Sequence, residues 1–330
     1  MTVEEIEAMC AAETLPPFMP HPMDIGELPF QATFYPLGFP LQVRTNAEEV
    51  LEMTGRLWPE FSQEYDTAPM LSDVYVADGG PEECPPTPIY HFQRPIITSI
   101  ADAQHNIVID KERRRTFTWI TRASLKHPLY IEYFFLMMPM ATMPTQVVHA
   151  ACVALNGRGV LLCGDSGAGK STLSYACARA GWDYISDDSC VLIDGEQRIV
   201  GGNCHRVRFR PNAAEFFPEV RGLDLTPRAA GKPSIELSML SMTHVKRCPR
   251  TRIDFIVFLN RRVPEPPALL PYKKEVARHY MQQGLFATPQ EELRHAECVE
   301  GMLAAEVLEL RYSNLDWAIQ RLCTLVEKGS

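Results

Sequence analysis

The sequence predicts an α/β fold in which a smaller N-terminal α+β region precedes a larger core. From Val147 onward, apolar strand-like runs alternate with helical patterns, which is typical of α/β domains. Before that point, short extended runs and two helical stretches occur without regular alternation. The 330 residues are enough for two domains of ordinary size. We therefore expect an α+β region of unassigned role at residues 1–145 and the core at residues 146–330.

Composition and charge are those of an ordinary globular protein. Apolar residues make up 46% of the chain and charged residues 22%, far from the low hydrophobicity and high charge of a disordered chain. Lys and Arg number 32 against 41 Asp and Glu, which gives a net charge of −9. An excess of acid argues against general binding to nucleic acid, because phosphate backbones attract basic surfaces.

Nothing in the sequence indicates secretion or membrane insertion. The chain starts Met-Thr-Val-Glu-Glu-Ile-Glu, acidic where a secretory signal is basic and then apolar. The most apolar run, residues 134–144, has about half of the roughly 20 residues that a membrane helix needs. The ten cysteines include no Cys-x-x-Cys pair, which favours reduced thiols over disulfides or a zinc site. We expect a cytoplasmic protein with neither a membrane nor a nucleic-acid partner.

The N-terminal region has several local signals. Residues 32–43 are extended in pattern, and residues 47–58 form an amphipathic helical pattern. Strand-like runs follow at residues 97–100, 106–109 and 116–121, the last two separated by a charged turn. Residues 129–138 are expected to form a buried helix that closes this region.

The core begins with a strand, a turn and a second strand. Residues 147–155 and 160–163 are apolar, and Asn156-Gly157-Arg158-Gly159 between them is typical of a hairpin turn. A glycine-rich loop, a helix over residues 170–180 that Gly181 ends, and a strand over residues 184–193 come next. Further strands are expected at residues 206–210 and 253–259, and helices at residues 273–283, 289–305 and 314–328.

The glycine-rich loop fills every fixed position of the P-loop pattern G-x-x-x-x-G-K-[ST]. Its expected nucleotide-binding residues are Gly164, Asp165, Ser166, Gly167, Ala168, Gly169, Lys170 and Ser171, followed by Thr172. Glycines let consecutive backbone N–H groups face phosphate oxygens, and the helix N-terminus adds positive potential. Lys170 would reach the β- and γ-phosphates of ATP, and the Ser171 hydroxyl would ligate Mg²⁺.

The absence of other known motifs, together with one pair of acids, narrows the class of P-loop protein. The chain has no Asn-Lys-x-Asp for guanine, no Leu-Ser-Gly-Gly-Gln of transporter ATPases, and no late apolar strand that ends in Asp-Glu. The paired acids near a strand are Asp187 and Asp188, one helix after Lys170. Because side chains alternate along a strand, one carboxylate should meet the metal and the other lie nearer an attacking hydroxyl. A solvated strand end or a pair of helix-capping acids is the structural alternative.

These residues together resemble the catalytic domain of HPr kinase/phosphorylase, a bacterial serine kinase with a nucleotide site like that of phosphoenolpyruvate carboxykinase. The resemblance rests on His149, the hairpin at residues 153–160, the P-loop, and Asp187-Asp188 one helix later. A shorter match is Glu219-Val220-Arg221-Gly222-Leu223, which is similar to a family signature whose glutamate lies near the metal. The implied fold class is α/β, with a P-loop kinase core of this type at residues 146–330.

The resemblance implies an ATP- and Mg²⁺-dependent kinase that transfers the γ-phosphoryl group to a serine-type hydroxyl of a protein or peptide. By analogy, Asp188 is the base, His149 and Lys170 assist, and Ser171, Asp187 and Glu219 hold the metal. The phosphoacceptor is unnamed, and a homo-oligomer is expected because related enzymes form one. The chain departs from the family at Thr172, where the family has Glu, and lacks a C-terminal Gly-Arg-Asn segment. The resemblance therefore does not extend to phosphorolysis or to recognition of HPr.

Several alternatives remain open from the residues alone. Arg206, Arg208 and Arg210 alternate along a strand-like run and would either bind phosphate or form the solvent face of an edge strand. For the whole chain, the rival functions are a small-molecule hydroxyl kinase and an ATP-binding accessory or switch protein without a dedicated acceptor. The third rival is a catalytically inactive relative that is retained for oligomer assembly.

Overall fold

The computed structural model describes residues 26–59, 61–93, 95–229, 232–261, 266–282 and 289–329. They form two compact units. One ends at Met143 and also includes Thr226–Pro233, and the other contains Pro144–Leu225 and the chain from Ser234 onward. Each unit contains both strands and helices, so the predicted α/β class is confirmed. Among the described residues, no helix is both long and apolar enough to cross a membrane.

In its described residues, the first unit is built on a mixed sheet of seven strands. The strands are β1 (Phe30–Phe34), β2 (Leu41–Thr45), β3 (Met70–Ala77), β4 (Ile89–Gln93), β5 (Ile96–Ile100), β6 (Asn106–Asp110) and β7 (Arg115–Thr121). Their order in the sheet is β1-β2-β3-β7-β6-β5-β4. β2, β3 and β7 are parallel neighbours, whereas the other pairs are antiparallel.

The helices of this unit agree in part with those predicted from the sequence. Helix α1 (Glu48–Leu57) buries Val50, Met53 and Leu57, which lie on one helical face. The predicted helix over residues 129–138 is shorter and less regular: α2 (Pro128–Ile131) passes into a π-helical turn at Glu132–Leu136. Pro139 sits in the 3₁₀ turn that follows, where its missing N–H prevents continuation of an α-helix. The predicted burial is confirmed, since Phe134 and Phe135 are fully buried.

The described residues of the second unit form twelve strands and four longer helices. The strands are β8 (Thr145–Val148), β9 (Ala151–Leu155), β10 (Arg158–Cys163), β11 (Asp183–Ser186), β12 (Cys190–Ile193), β13 (Ile199–Gly202), β14 (Arg206–Phe209), β15 (Ile235–Ser238), β16 (Lys246–Arg247), β17 (Arg250–Asn260), β18 (Ala268–Pro271) and β19 (Glu306–Arg311). The helices are α3 (Lys170–Arg179), α4 (Lys274–Met281), α5 (Pro289–Met302) and α6 (Leu315–Lys328). Strands β10, β17 and β19 run parallel at the centre of the main sheet, and β14 and β15 form a separate ribbon.

The central strand β10 is buried on both faces. Leu161 and Cys163 pack in one cluster with apolar residues of α4 and α5, whereas Val160 and Leu162 pack in another with residues of α3 and α6. A parallel strand covered on both sides is continuously apolar, which explains the run that ends at Cys163. The predicted β9–β10 hairpin is confirmed, with Asn156 at φ 53° and Gly157 at φ 74°. Both angles lie in the left-handed region that a tight two-residue hairpin requires.

Two predicted strands are each interrupted in the structure. The run at residues 147–155 divides into β8 and β9 around His149 and Ala150, and the run at residues 184–193 divides into β11 and β12 around residues 187–189. The interruptions face each other, because Val148 of β8 pairs with Cys190 of β12 and Cys152 of β9 pairs with Ser186 of β11. Both breaks carry charged or titratable side chains, and they lie beside the end of β10.

Candidate active site

The P-loop connects the buried end of β10 to the first turn of α3. Gly164, Gly167 and Gly169 have φ of 146°, 86° and 100°, in the region that favours glycine. At Gly169, a Cβ atom would also come within 3.0 Å of the Tyr312 hydroxyl and 3.3 Å of Arg261 Cδ. The backbone conformation therefore favours glycine at this position, and the space beside it is tight. Around Gly167, by contrast, no atom lies within 4 Å of such a Cβ, so the loop is open there.

The Lys170 side chain is buried and faces back toward the start of the loop. Its Nζ donates to the main-chain oxygen of Gly164 at 2.7 Å and lies 3.0 Å from Nε2 of His149. Burial lowers the pKa of Lys170, and the nearby Asp188 carboxylate opposes that effect. A buried ammonium in a loop of inward-facing dipoles is well suited to a polyphosphate.

The His149 imidazole lies between Lys170 and Asp188. On one side Nε2 faces Lys170 Nζ, and on the other Nδ1 lies 3.3 Å from Oδ1 of Asp188. Lysine only donates and a carboxylate only accepts, so this arrangement assigns the proton of the neutral ring to Nδ1. Lys170, His149 and Asp188 thus form a continuous chain of polar contacts at the break between β8 and β9.

The two aspartates have different surroundings. Asp188 has a side chain that is 48% exposed, whereas Asp187 is buried and accepts a 3.0 Å hydrogen bond from the main-chain N–H of Arg208. Burial, together with the neighbouring Asp188 charge, raises the pKa of Asp187 to about 6. The Ser171 hydroxyl oxygen lies 3.5 Å from the main-chain oxygen of Asp187. One carboxylate is therefore beside the first turn of α3 and the other beside His149.

The oxygen donors beside α3 are of the type that a magnesium ion prefers. Mg²⁺ prefers oxygen ligands, commonly one or two carboxylates supplemented by water and substrate phosphate. Asp187 provides a buried carboxylate and Ser171 a hydroxyl on the adjacent helix turn, and both are oxygen donors. No group of three or more His, Cys, Asp or Glu side chains with the spacing of a metal site occurs in the described part of the chain.

The raised pKa of Asp187 leads to a prediction about stability. A carboxyl whose pKa rises on folding stabilises the fold most below its unfolded value near 4, and that contribution is lost as the pH rises through 6. In the presence of EDTA, we expect Asp187→Asn to be more stable than the wild type at pH 7.5, by roughly 1–3 kcal/mol. Below about pH 4 the difference should disappear. Urea denaturation at the two pH values measures it, and equal stability at pH 7.5 would contradict the burial of a charged Asp187.

The structure places Glu219 next to the later turns of α3. Its Oε1 accepts a 2.7 Å hydrogen bond from the Tyr175 hydroxyl and lies 3.5 Å from Nε of Arg179. Tyr175 and Arg179 are five and nine residues beyond Lys170, about 7 and 13 Å along the helix axis. These contacts connect the segment Pro218–Val220 with the later turns of α3, and the role of Glu219 as a metal ligand stays a prediction.

The two arginines of β14 form ion pairs within the β14–β15 ribbon. Arg206 Nη1 and Arg208 Nε lie 3.2 and 3.5 Å from the Glu236 carboxylate of β15. Both guanidinium groups thus have a carboxylate partner on β15, and the positive charge of Arg208 also acts on Asp187. The main-chain N–H of Arg208 connects this ribbon to the site by donating to Asp187. The sequence did not indicate this contact.

Three residues near the site were absent from the sequence interpretation: Arg261, Tyr280 and Tyr312. Tyr280 contacts the P-loop from α4, and Arg261 and Tyr312 lie beside Gly169 at the ends of β17 and β19. Each comes from a segment at least about 90 residues away in sequence from the loop. A position directly after a central parallel strand is a general signal for site residues, and it would have pointed to Arg261 and Tyr312 but not to Tyr280.

Comparison with known proteins shows that the sequence of this chain is similar to one group of enzymes. HPr kinase/phosphorylase from Bordetella pertussis is 34% identical over 82 residues, which cover 25% of each chain. The same-named protein of Bacillus mycoides is 34% identical over 83 residues, again 25% of each chain. That of Clostridium beijerinckii is 25% identical over 115 residues, which cover 35% of this chain and 36% of the relative. The chain therefore spans between a quarter and somewhat more than a third of the length of these relatives.

No family model matches the chain. The solved HPr(Ser) kinase/phosphatase from Coxiella burnetii aligns with 55% of this chain and 93% of its own length, at 13% identity and a TM-score of 0.30. The resemblance inferred from the residues is nevertheless confirmed by the curated relatives. In the matched segment, this chain is similar to the HPr kinase/phosphorylases at the level of a diverged relative.

Proposed function

We propose that this protein is an ATP- and Mg²⁺-dependent kinase that transfers the γ-phosphoryl group to a serine-type hydroxyl of a protein or peptide. The observation that carries the proposal is the contact chain Lys170–His149–Asp188 beside the P-loop, with the buried Asp187 on the α3 side. A protein that only binds nucleotide needs the loop and one carboxylate. The second, half-exposed carboxylate in contact with a histidine supports a step that moves a proton.

In this proposal the P-loop and Lys170 bind the phosphates of ATP. The backbone N–H groups of the loop and the N-terminus of α3 supply fixed dipoles that need no reorganisation. Lys170 Nζ, which now donates to Gly164, is close enough to the loop to exchange that contact for phosphate oxygens. When bound, Mg²⁺ held by Ser171 and Asp187 would neutralise charge on the β- and γ-phosphates.

On the acceptor side, Asp188 would take the proton of the attacking hydroxyl. Its exposure leaves room for a substrate group, and the Nδ1–H of His149 orients its carboxylate. Because phosphoryl transfer involves little covalent chemistry by the protein, most of the rate enhancement would come from positioning and charge stabilisation.

The name of the relatives does not settle the acceptor of this chain. The matched relatives are named HPr kinase/phosphorylase, but the match covers between 25% and 36% of each relative's length rather than a whole enzyme. We infer a hydroxyl acceptor on a protein or peptide, without assigning phosphorolysis. No disulfide joins the nine cysteines of the described residues, and reduced thiols accord with action in the cytoplasm, where ATP is supplied.

The proposal is tested by following the label of γ-³²P-ATP. The purified protein, Mg²⁺ and labelled ATP are mixed with fractions of the native cytosol, with a Lys170→Met variant as control. We expect acid-stable label in a protein or peptide fraction with the wild type and not with the variant. Label confined to a metabolite would identify a small-molecule kinase instead. Tight MgATP binding without label in any fraction would contradict kinase activity and favour an accessory or switch protein.

A further inference from the structure

The hydroxyl of Tyr280 joins the two ends of the β9–β10 hairpin. His149 lies two residues before this hairpin, and Gly164 directly follows it. The Tyr280 oxygen lies 2.5 Å from the main-chain oxygen of His149, and the main-chain N–H of Gly164 donates to it at 3.1 Å. The hairpin turn is at the opposite end, at Asn156 and Gly157. Tyr280 therefore closes the open end, where the catalytic histidine and the P-loop meet.

Hydrogen-bond counting assigns a direction to each contact. A tyrosine hydroxyl has one proton to donate and can accept others. The main-chain oxygen of Gly164 also lies 3.0 Å from the Tyr280 hydroxyl, but it already receives the Lys170 ammonium at 2.7 Å. The Tyr280 proton is thus best donated to His149, while its oxygen accepts from Gly164. Burial raises the pKa of Tyr280, so the phenol keeps this proton throughout the neutral range.

The Tyr280 ring is held in place by packing on Phe258. The two ring centroids are 5.3 Å apart in an edge-to-face arrangement, and Tyr272 packs on the same Phe258 at 5.2 Å. Phe258 lies in β17, the parallel neighbour of β10. The hydroxyl is therefore fixed relative to the sheet that carries the P-loop, rather than placed by a mobile side chain.

We propose that Tyr280 is a positioning residue of the active site, which holds the His149 backbone so that the imidazole reaches both Lys170 and Asp188. Only the role of His149 in turnover rests on the proposed function. The hydrogen bonds of the Tyr280 hydroxyl go to the main chain of His149 and Gly164. It acts by fixing the distance between the end of β8 and the start of the P-loop, and a shift of about 1 Å at such a point can cost as much as 100-fold in rate.

The test compares Tyr280→Phe with Tyr272→Phe, which removes a hydroxyl from the same ring cluster. We expect Tyr280→Phe to lower kcat about 10- to 100-fold, with a change of less than about threefold in the KM for MgATP. Tyr272→Phe should retain wild-type kinetics. A role confined to stability predicts a lower melting temperature with kcat per folded molecule unchanged, and that result would overturn the proposal.

A double-mutant cycle tests whether Tyr280 acts through His149. In a His149→Ala background, replacement of Tyr280 by phenylalanine should have little further effect on kcat, because the group that it positions is gone. An equal fold-loss in both backgrounds would contradict action through His149. This outcome would instead assign the effect to the P-loop.

A spectroscopic measurement separates this proposal from the kinase assignment. In nucleotide-free protein, ¹⁵N shifts of the His149 imidazole should show the Nδ1-protonated tautomer in the wild type and Tyr272→Phe, and its loss in Tyr280→Phe. An unchanged tautomer in Tyr280→Phe would overturn the positioning role whether or not the protein transfers phosphate. Absence of turnover in the wild type, with the tautomer change present, would overturn the proposed function alone.

Discussion

Replacement of Lys170 by methionine is expected to lower kcat/KM for ATP at least about 1,000-fold, because the largest share of phosphoryl-transfer catalysis comes from fixed positive charge on the phosphates. Methionine keeps the length and the burial of the side chain but removes the ammonium that now contacts Gly164 and His149. Since burial already disfavours the charged form of Lys170, the variant should fold at least as stably as the wild type. Steady-state kinetics together with thermal melting measure both effects.

The matched control is Lys246→Met, on the exposed strand β16 of the same unit. It removes the same charge from the chain, so any general effect of net charge on ATP binding should appear in both variants. We expect wild-type kinetics for Lys246→Met. A comparable loss in the two variants, or turnover by Lys170→Met within tenfold of the wild type, would contradict the assignment of the P-loop as the phosphate site.

Replacement of Asp188 by asparagine should separate nucleotide binding from transfer. General-base catalysis contributes about 10²- to 10⁴-fold to a rate, so we expect kcat to fall by that factor. The affinity for MgATP should stay within about threefold, since the half-exposed Asp188 contacts His149 rather than the loop. Isothermal titration measures the affinity, and a labelled-acceptor assay measures kcat.

Asp183→Asn is the control for this substitution, because Asp183 starts β11, the strand after which Asp187 and Asp188 follow. It should leave both quantities unchanged. If Asp188→Asn retained full kcat, the base would have to be another group, and the His149–Asp188 contact would be structural. If affinity and kcat fell together, Asp188 would belong to the nucleotide site.

Local signals in the sequence predicted the phosphate-binding half of the site. The P-loop is defined by eight consecutive residues, and the helix is predicted to begin where the glycines of the loop end. Neither prediction needs information from distant parts of the chain. Helix α3 accordingly ends within one residue of its predicted end. The hairpin turn at Asn156 and Gly157 is equally local, because its positive φ angles restrict the residue types.

The other half depends on which segments meet in space. The contact between Tyr280 and His149 joins residues 131 apart, and no local pattern distinguishes Tyr280 in α4 from Tyr272 just before it. Glu219 was expected near the metal on a short sequence match, whereas its observed partners lie on the later turns of α3. The interruptions at residues 149–150 and 187–189 were also missed, because apolar residues continue on both sides of each break. Similarly, the sequence was divided into two successive regions, while residues 226–233 return to the first unit.

The most direct test of the central claim is the fate of the γ-phosphate when enzyme is in excess over ATP. Wild-type protein and Asp188→Asn are each loaded with labelled MgATP and mixed with the fraction of native cytosol that contains the acceptor. Samples are quenched over time and analysed for ATP, ADP and labelled acceptor. The account predicts conversion of bound ATP to ADP with label on the acceptor for the wild type, and intact bound ATP for Asp188→Asn. Intact ATP in both, or equally fast transfer in both, would contradict it.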